Sequence, residues 1–161
     1  MRVSLRILNV LVTVNLLVSA LHFGDNMLHF REYPEPAWIT GRHVVDLLWF
    51  AISPVLLGGW WLARQGRRAA AVSALWVYCV LSLFVLGHYL YADPSELSFR
   101  INVLIIAEAA AAATLLILTP FLVPSSAQGR LARWPLRLTC DNMEASFTSR
   151  SGHPASQRRA V

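Results

Sequence analysis

Residues 101–123, INVLIIAEAAAAATLLILTPFLV, run for 23 residues with one ionisable side chain, Glu108. The hydrocarbon core of a bilayer is about 30 Å thick, and a helix rising 1.5 Å per residue crosses it in roughly 20 residues. The stretch is long enough to span. In lipid its backbone N–H and C=O groups must be paired within the segment, which makes it a helix. Barrel strands are shorter and alternate in polarity. Working back along the chain, residues 5–23, 44–62 and 69–90 meet the same requirement. The sequence therefore predicts an all-α integral membrane four-helix bundle over residues 1–123, followed by a basic, largely disordered tail over 124–161.

The whole composition agrees. Of 161 residues, 56% are hydrophobic and 14% charged, with a mean hydropathy of +0.50; soluble domains carry about 25% charged residues. The net charge of +5 does not form a nucleic-acid patch, because the basic residues flank the apolar runs in short segments. That placement suits a lipid bilayer and excludes nucleic acid as a partner. All 14 basic residues are Arg, which with the abundant Ala points to a GC-rich bacterial coding sequence. The two cysteines, Cys79 and Cys140, fall in a span and in the tail, so neither a disulfide framework nor a CxxC redox motif is available.

Arg and Lys are enriched in cytoplasmic loops. Arg2, Arg6, Arg64, Arg67, Arg68, Arg130, Arg133 and Arg137 fall on one side of the spans, against Arg31, Arg42 and Arg100 on the other. This places both termini in the cytoplasm of a cell (inner) membrane, with the turn 63–68 inside and the loop 24–42 outside. Trp60 and Trp61 then mark the inner interface, and Tyr33, Trp38, Tyr89 and Tyr91 the outer one. Arg130, Arg133 and Arg137 lie beside Trp134, where anionic lipid attracts each basic residue by about 1 kcal/mol. The first span has a rival reading: Arg2 and Arg6, a short apolar run and Val18-Ser19-Ala20 together resemble a cleavable signal peptide. Against cleavage, Asn15 interrupts the apolar run, and a polar helical face continues past the cut through His22 and His29.

Several local features follow from residue chemistry. Asp93, Pro94 and Glu96 have the form of a capping box that starts the fourth helix. The Ala run at 109–113 and Gly58, Gly59 and Gly87 are small enough to let neighbouring backbones approach. Pro54 interrupts the second helix, with Ser53 beside it to satisfy a freed group.

Polar side chains inside a membrane cost about 2.5 kcal/mol or more on insertion scales, so they face the protein interior and pair. Asn15, His22 and His29 recur every seven residues on helix one, with Asp25 and Asn26 beside them. Helix two supplies His43, Asp46 and Ser53, helix three His88, and helix four Glu108, while Asn102 points to a different contact. His22, Asp25, Asn26, Asp46, His88 and Glu108 are thus the candidate ligand-binding residues, with Glu108 and His88 the catalytic candidates for proton transfer. Helix rise puts Glu108 roughly 10 Å below the outer boundary and His22, His88 and Asp46 within about 5 Å of it. That predicts a ladder descending from an external mouth.

Three readings stay open. His22, His88 and Asp46 could bind a transition metal, zinc or iron. The ladder could line a pocket for a small or lipid-like ligand, with or without catalysis. Or the polar groups could fix the helices to one another or to a partner protein without catalysis. The loop at 31–38 is either an interfacial connector or a lid over the polar mouth.

His22-x-x-Asp25-Asn26, Tyr33-Pro34-Glu35-Pro36-x-Trp38 and Gly87-His88-Tyr89 together resemble a set of small uncharacterised bacterial multi-pass membrane proteins, over most of the chain up to helix four. The resemblance implies the four-helix architecture and carries over no activity. At the level of architecture alone, four helices with buried acid and His are similar to the EXPERA group of sterol isomerases, from which no residue role transfers.

Overall fold

The computed structural model describes residues 2–123, with side chains from residue 4 onward. The expected tail and the lipid contacts of Arg130, Arg133 and Arg137 lie outside the described residues. Four helices account for most of the rest: α1 (Arg2–Leu28), α2 (Arg42–Arg64), α3 (Arg68–Leu83) and α4 (Phe99–Leu122). A 3-10 segment, Phe84–Leu90, prolongs α3, and a short one, Phe30–Glu32, follows α1. No strand occurs among the described residues. Ser4–Leu28, Arg42–Arg64, Arg68–Leu90 and Phe99–Leu122 are each long and apolar enough to cross a membrane.

The helices pack antiparallel to their neighbours. In α1 the buried residues Leu8, Val12, Asn15, Ser19, His22 and Asn26 alternate steps of four and three, the seam expected of a helix packed on one face. Against it lies α4, whose Ala-rich middle lets α1 approach until Asn15 Nδ2 donates to the Ala111 carbonyl at 3.1 Å. Trp60 Nε1 donates to Asn9 Oδ1 at 2.7 Å and joins α2 to α1, while the Arg64 guanidinium sits 4.9 Å from the Trp60 ring centroid. Arg68 Nη2 donates to the Pro120 carbonyl at 2.9 Å, satisfying one of the last acceptors of α4. Leu8, Leu56, Leu75, Cys79 and Leu115 form the apolar core at this level.

The turn between α2 and α3 has a chemical cause. Gly66 takes φ +74°, Gly66 N donates to Ala63 O at 3.1 Å, and Arg67 N to Leu62 O at 3.0 Å. This is a Schellman termination, for which glycine is suited because it lacks a Cβ.

Three local expectations need correction. Ser98, not Asp93, caps α4: its Oγ accepts from Ile101 N at 3.3 Å. Asp93 and Glu96 close a separate turn in which the Asp93 carboxylate accepts from the Ser95 hydroxyl and amide, and these bonds lower its pKa. Of the three glycines, only Gly59 sits in close packing, where a Cβ would meet Leu75 Cγ at 2.8 Å; nothing lies within 4 Å at Gly58 or Gly87. Pro54 lies inside α2, and the Ser53 hydroxyl donates to Trp49 O at 2.8 Å rather than to the Phe50 carbonyl that the missing proline N–H leaves free.

The outward faces carry Val10, Leu17, Leu21, Leu47, Phe50, Phe84, Ile106 and Phe121, all exposed. In water so much contiguous apolar surface would promote association. In a hydrocarbon solvent it is ordinary.

Candidate functional site

At the end of the helices opposite the α2–α3 turn, the packing opens into a cavity of about 490 Å³. Each element presents a particular row to it. On α1 the buried seam supplies His22 and Asn26; α2 contributes Val45, Leu48 and Ile52 at helical spacing; α4 contributes Glu108. The 3-10 segment matters most for aim. Its three-residue period stacks residues i and i+3 in line, so Val85, His88 and Tyr91 form one row and Phe84, Gly87 and Leu90 the next, and all six line the cavity. Residues Glu35, Pro36, Trp38 and Ile39 of the outer loop complete the wall.

The polar groups gather at one side. His22 Nδ1 lies 2.9 Å from Glu108 Oε2, both residues 2% exposed. The contact is close, yet neither Glu108 oxygen nor His22 Nδ1 has an aligned hydrogen-bond partner among the described residues. The His22 ring centroid lies 5.6 Å from that of His88 and 5.7 Å from that of Tyr33. His88 Nδ1 lies 3.2 Å from the Pro34 carbonyl. A carbonyl only accepts, so this nitrogen carries the proton and a neutral His88 keeps its lone pair on Nε2. Asn26 Nδ2 donates to Glu35, while Asn26 Oδ1 is buried without a partner.

The loop is fastened over this cluster. The Tyr33 hydroxyl donates to Asp25 Oδ2 at 2.7 Å, and Arg100 donates to Asp25 Oδ1 at 2.9 Å and to Glu32 Oε2 at 2.7 Å. Burial, reinforced by the bond to Asp25, raises the Tyr33 pKa. The segment thus joins α1, α4 and the 3-10 segment, with Tyr33 only 5% exposed.

The structure brings together four of the six sequence candidates: His22, Asn26, His88 and Glu108. Asp25 is not part of the lining; Arg100, Tyr33 and His29 occupy it. Asp46 is also absent from the lining, because Val45 and Leu48 turn inward and leave it on a neighbouring face. The proposed metal set of His22, His88 and Asp46 is therefore not assembled, and no group of three His, Cys, Asp or Glu residues that could hold an ion exists among the described residues. The depth estimate also changes. Helix α1 continues to Leu28, so His22 lies six residues below its end, roughly 9 Å, and reaches Glu108 directly.

Ser82 lines the cavity and Tyr78 lies one turn deeper, their hydroxyls near each other and that of Ser19 without an aligned bond. Sequence reasoning passed over these three and Glu35. The i, i+4 spacing of Tyr78 and Ser82, and the place of Ser19 between Asn15 and His22, were the available signals. Comparison with known protein families, with curated proteins and with solved structures finds no match for this chain.

Proposed function

We propose that this chain is a multi-pass protein of a bacterial cytoplasmic membrane, a four-helix bundle with both termini inside, that binds a small amphipathic ligand in its outer half. The orientation is supported by the Arg asymmetry of the described helices, Arg2, Arg6, Arg64, Arg67 and Arg68 at the end of the α2–α3 turn against Arg31, Arg42 and Arg100 at the other. One observation carries the binding reading: a carboxylate buried to 2% exposure, whose Oε2 touches His22 and whose Oε1 has no partner among the described residues, faces a 490 Å³ cavity whose other walls are mostly apolar. Buried polar groups in native proteins are overwhelmingly paired, and an unpaired one calls for a partner. A largely apolar pocket with a few convergent polar groups is the form that small-molecule sites take.

His22 and Glu108 in contact could also pass a proton to or from a bound molecule. That chemistry is secondary to binding in this reading. A structural role is favoured by a different observation, the Asn15–Ala111 and Trp60–Asn9 bonds that join helices without facing the cavity. Those bonds serve packing away from the cavity, whereas Glu108 faces the cavity and meets α1 through the 2.9 Å contact of its Oε2 with His22.

The test is mass spectrometry of small molecules that copurify with the full chain extracted in a native lipid disc, with Glu108→Gln beside it. The binding reading expects one species near one per chain, depleted in the variant while its thermal midpoint barely moves. No stoichiometric species, together with a strongly lowered midpoint in the variant, would assign Glu108 to structure alone.

A further inference from the structure

We propose that the cavity selects a ligand with a cationic, hydrogen-bond-donating head, of the class of a protonated amine on an apolar tail, with the head at Glu108. This rests on the binding reading above and names its ligand class.

The polar inventory of the cavity is biased toward acceptors. Glu108 contributes Oε1, without a partner among the described residues, and Oε2, which touches His22 at 2.9 Å. Asn26 spends its amide N–H on Glu35 and leaves Oδ1 buried and unpaired. His88, with its Nδ1 proton turned to Pro34 O, keeps an acceptor at Nε2. Glu35 supplies a second carboxylate on the loop side. Against these, the donors in the lining are the Ser82 and Tyr91 hydroxyls, the Trp38 indole N–H and a ring N–H of His22, and no Arg is among the cavity-lining residues. Arg100, which pairs with this loop, is committed to Asp25 and Glu32.

This inventory discriminates between head groups. A phosphate or carboxylate head would face two carboxylates with no Arg in the lining to offset them, only the imidazoles of His22 and His88. An ester or ketone head placed at Glu108 and Asn26 Oδ1 would set acceptor against acceptor. An ammonium head supplies donors for Glu108 and Asn26 Oδ1 together, and charge-assisted bonds of that kind are the stronger ones. The contrast with Asp25 is instructive: that carboxylate, at the same end of α1, is already taken up by Arg100 and Tyr33. Glu108 has no Arg partner among the described residues, and its one ion-pair contact there is His22. The tail has a place as well, since Val45, Leu48, Ile52, Leu81 and Val85 form an apolar wall.

The experiment measures saturable binding of octylamine, octanol and octanoate to the full chain in phosphatidylcholine nanodiscs, with the signal of empty discs subtracted. The expected result is one octylamine per chain, bound about tenfold or more tighter than octanol, the scale of one charge-assisted hydrogen bond. Octanoate should bind more weakly than octanol. Glu108→Gln should bring octylamine down to the affinity of octanol and leave octanol unchanged. Octanol or octanoate binding as tightly as octylamine would overturn the ligand class while the cavity reading stands. Undiminished octylamine affinity in Glu108→Gln would overturn the placement of the head. If no probe binds above empty discs, the cavity reading falls and the class with it. Should the variant fail to fold, the ranking of the three probes on the unaltered chain decides.

Discussion

Replacing Asp25 with Ala removes the acceptor on which the outer loop converges, and its effect can be worked from the contacts. The Tyr33 hydroxyl loses a charge-assisted bond of 2.7 Å and remains buried, which costs about 1.5–3 kcal/mol. The Arg100 pair is partly exposed, so its loss adds only about 0.2–1 kcal/mol, and Arg100 retains Glu32. The His29 contact adds a few tenths at most. The sum is about 2–4 kcal/mol, and its largest share, the Tyr33 bond, falls on the loop, while the Arg100 pair ties the end of α1 to the first turn of α4 and leaves the middle of both helices untouched. Local opening of this kind is read by amide exchange. The Glu32 amide, bonded to His29 O at 2.8 Å, and the Ile39 amide, bonded to Pro36 O at 2.9 Å, report on it. Their exchange should accelerate by roughly thirty- to a thousandfold, at 1.4 kcal/mol per factor of ten, while amides in the middle of α1 and α4 stay protected. Tyr33→Phe on the Asp25→Ala background should add little, because the partner is already gone. Unchanged exchange at Glu32 and Ile39, or equal acceleration throughout the helices, would refute the assignment of Asp25 as the loop fastening.

Gly59→Ala should destabilise the chain by about 1–3 kcal/mol, since the new Cβ meets the Leu75 side chain at 2.8 Å and its backbone N at 3.1 Å; Gly58→Ala, with nothing within 4 Å, should be neutral or slightly stabilising in the same denaturation assay. Ser98→Ala should lower stability by about 0.5–2 kcal/mol through loss of the α4 cap, whereas Asp93→Ala should change little; equal effects would restore Asp93 as the cap. The raised Tyr33 pKa has a pH signature. Its stabilising share is intact below about pH 10, the ordinary tyrosine value, and is lost as pH rises above that, because the unfolded chain gives up the proton first. Thermal melts of Tyr33→Phe against the parent should therefore converge with rising alkalinity, and a parallel offset at every pH would contradict this.

How much of this was legible in the sequence depended on whether a feature acts within one helix or between helices. The four spans were readable because length and hydropathy belong to single segments, and their edges moved only where polar residues extend a helix, as from Phe23 to Leu28 in α1. The cap of α4 was misread because Asp93 and Glu96 do satisfy one another locally; the motif formed a turn, and the helix waited for Ser98. The importance of Gly59 over Gly58 was not readable at all, since it rests on which side meets Leu75 of another helix.

The same distinction explains why four of six site residues came together and two did not. His22, Asn26 and Glu108 belong to buried seams with steps of three and four, so helical phase alone aims them inward. Asp46 shared a face with Ser53 by spacing, but α2 turns Val45, Leu48 and Ile52 to the cavity. Asp25 lies one residue before Asn26, about 100° around the helix, and that rotation carries it from the cavity to Arg100. Adjacent polar residues on α1 thus have divided tasks: Asp25 holds the loop closed, and Asn26 presents an unpaired oxygen beneath it. Tyr33–Asp25 and Glu32–Arg100 fasten the loop from outside while Asp25 and Arg100 hold each other; on the binding reading, access to the cavity then depends on the Tyr33–Asp25 contact. Loosening that contact should therefore speed ligand entry and exit while leaving the groups that determine ligand class in place, so Asp25→Ala should raise the dissociation rate of octylamine yet preserve its preference over octanoate. A reversal of that preference in Asp25→Ala would show that Asp25 itself helps to read the ligand head.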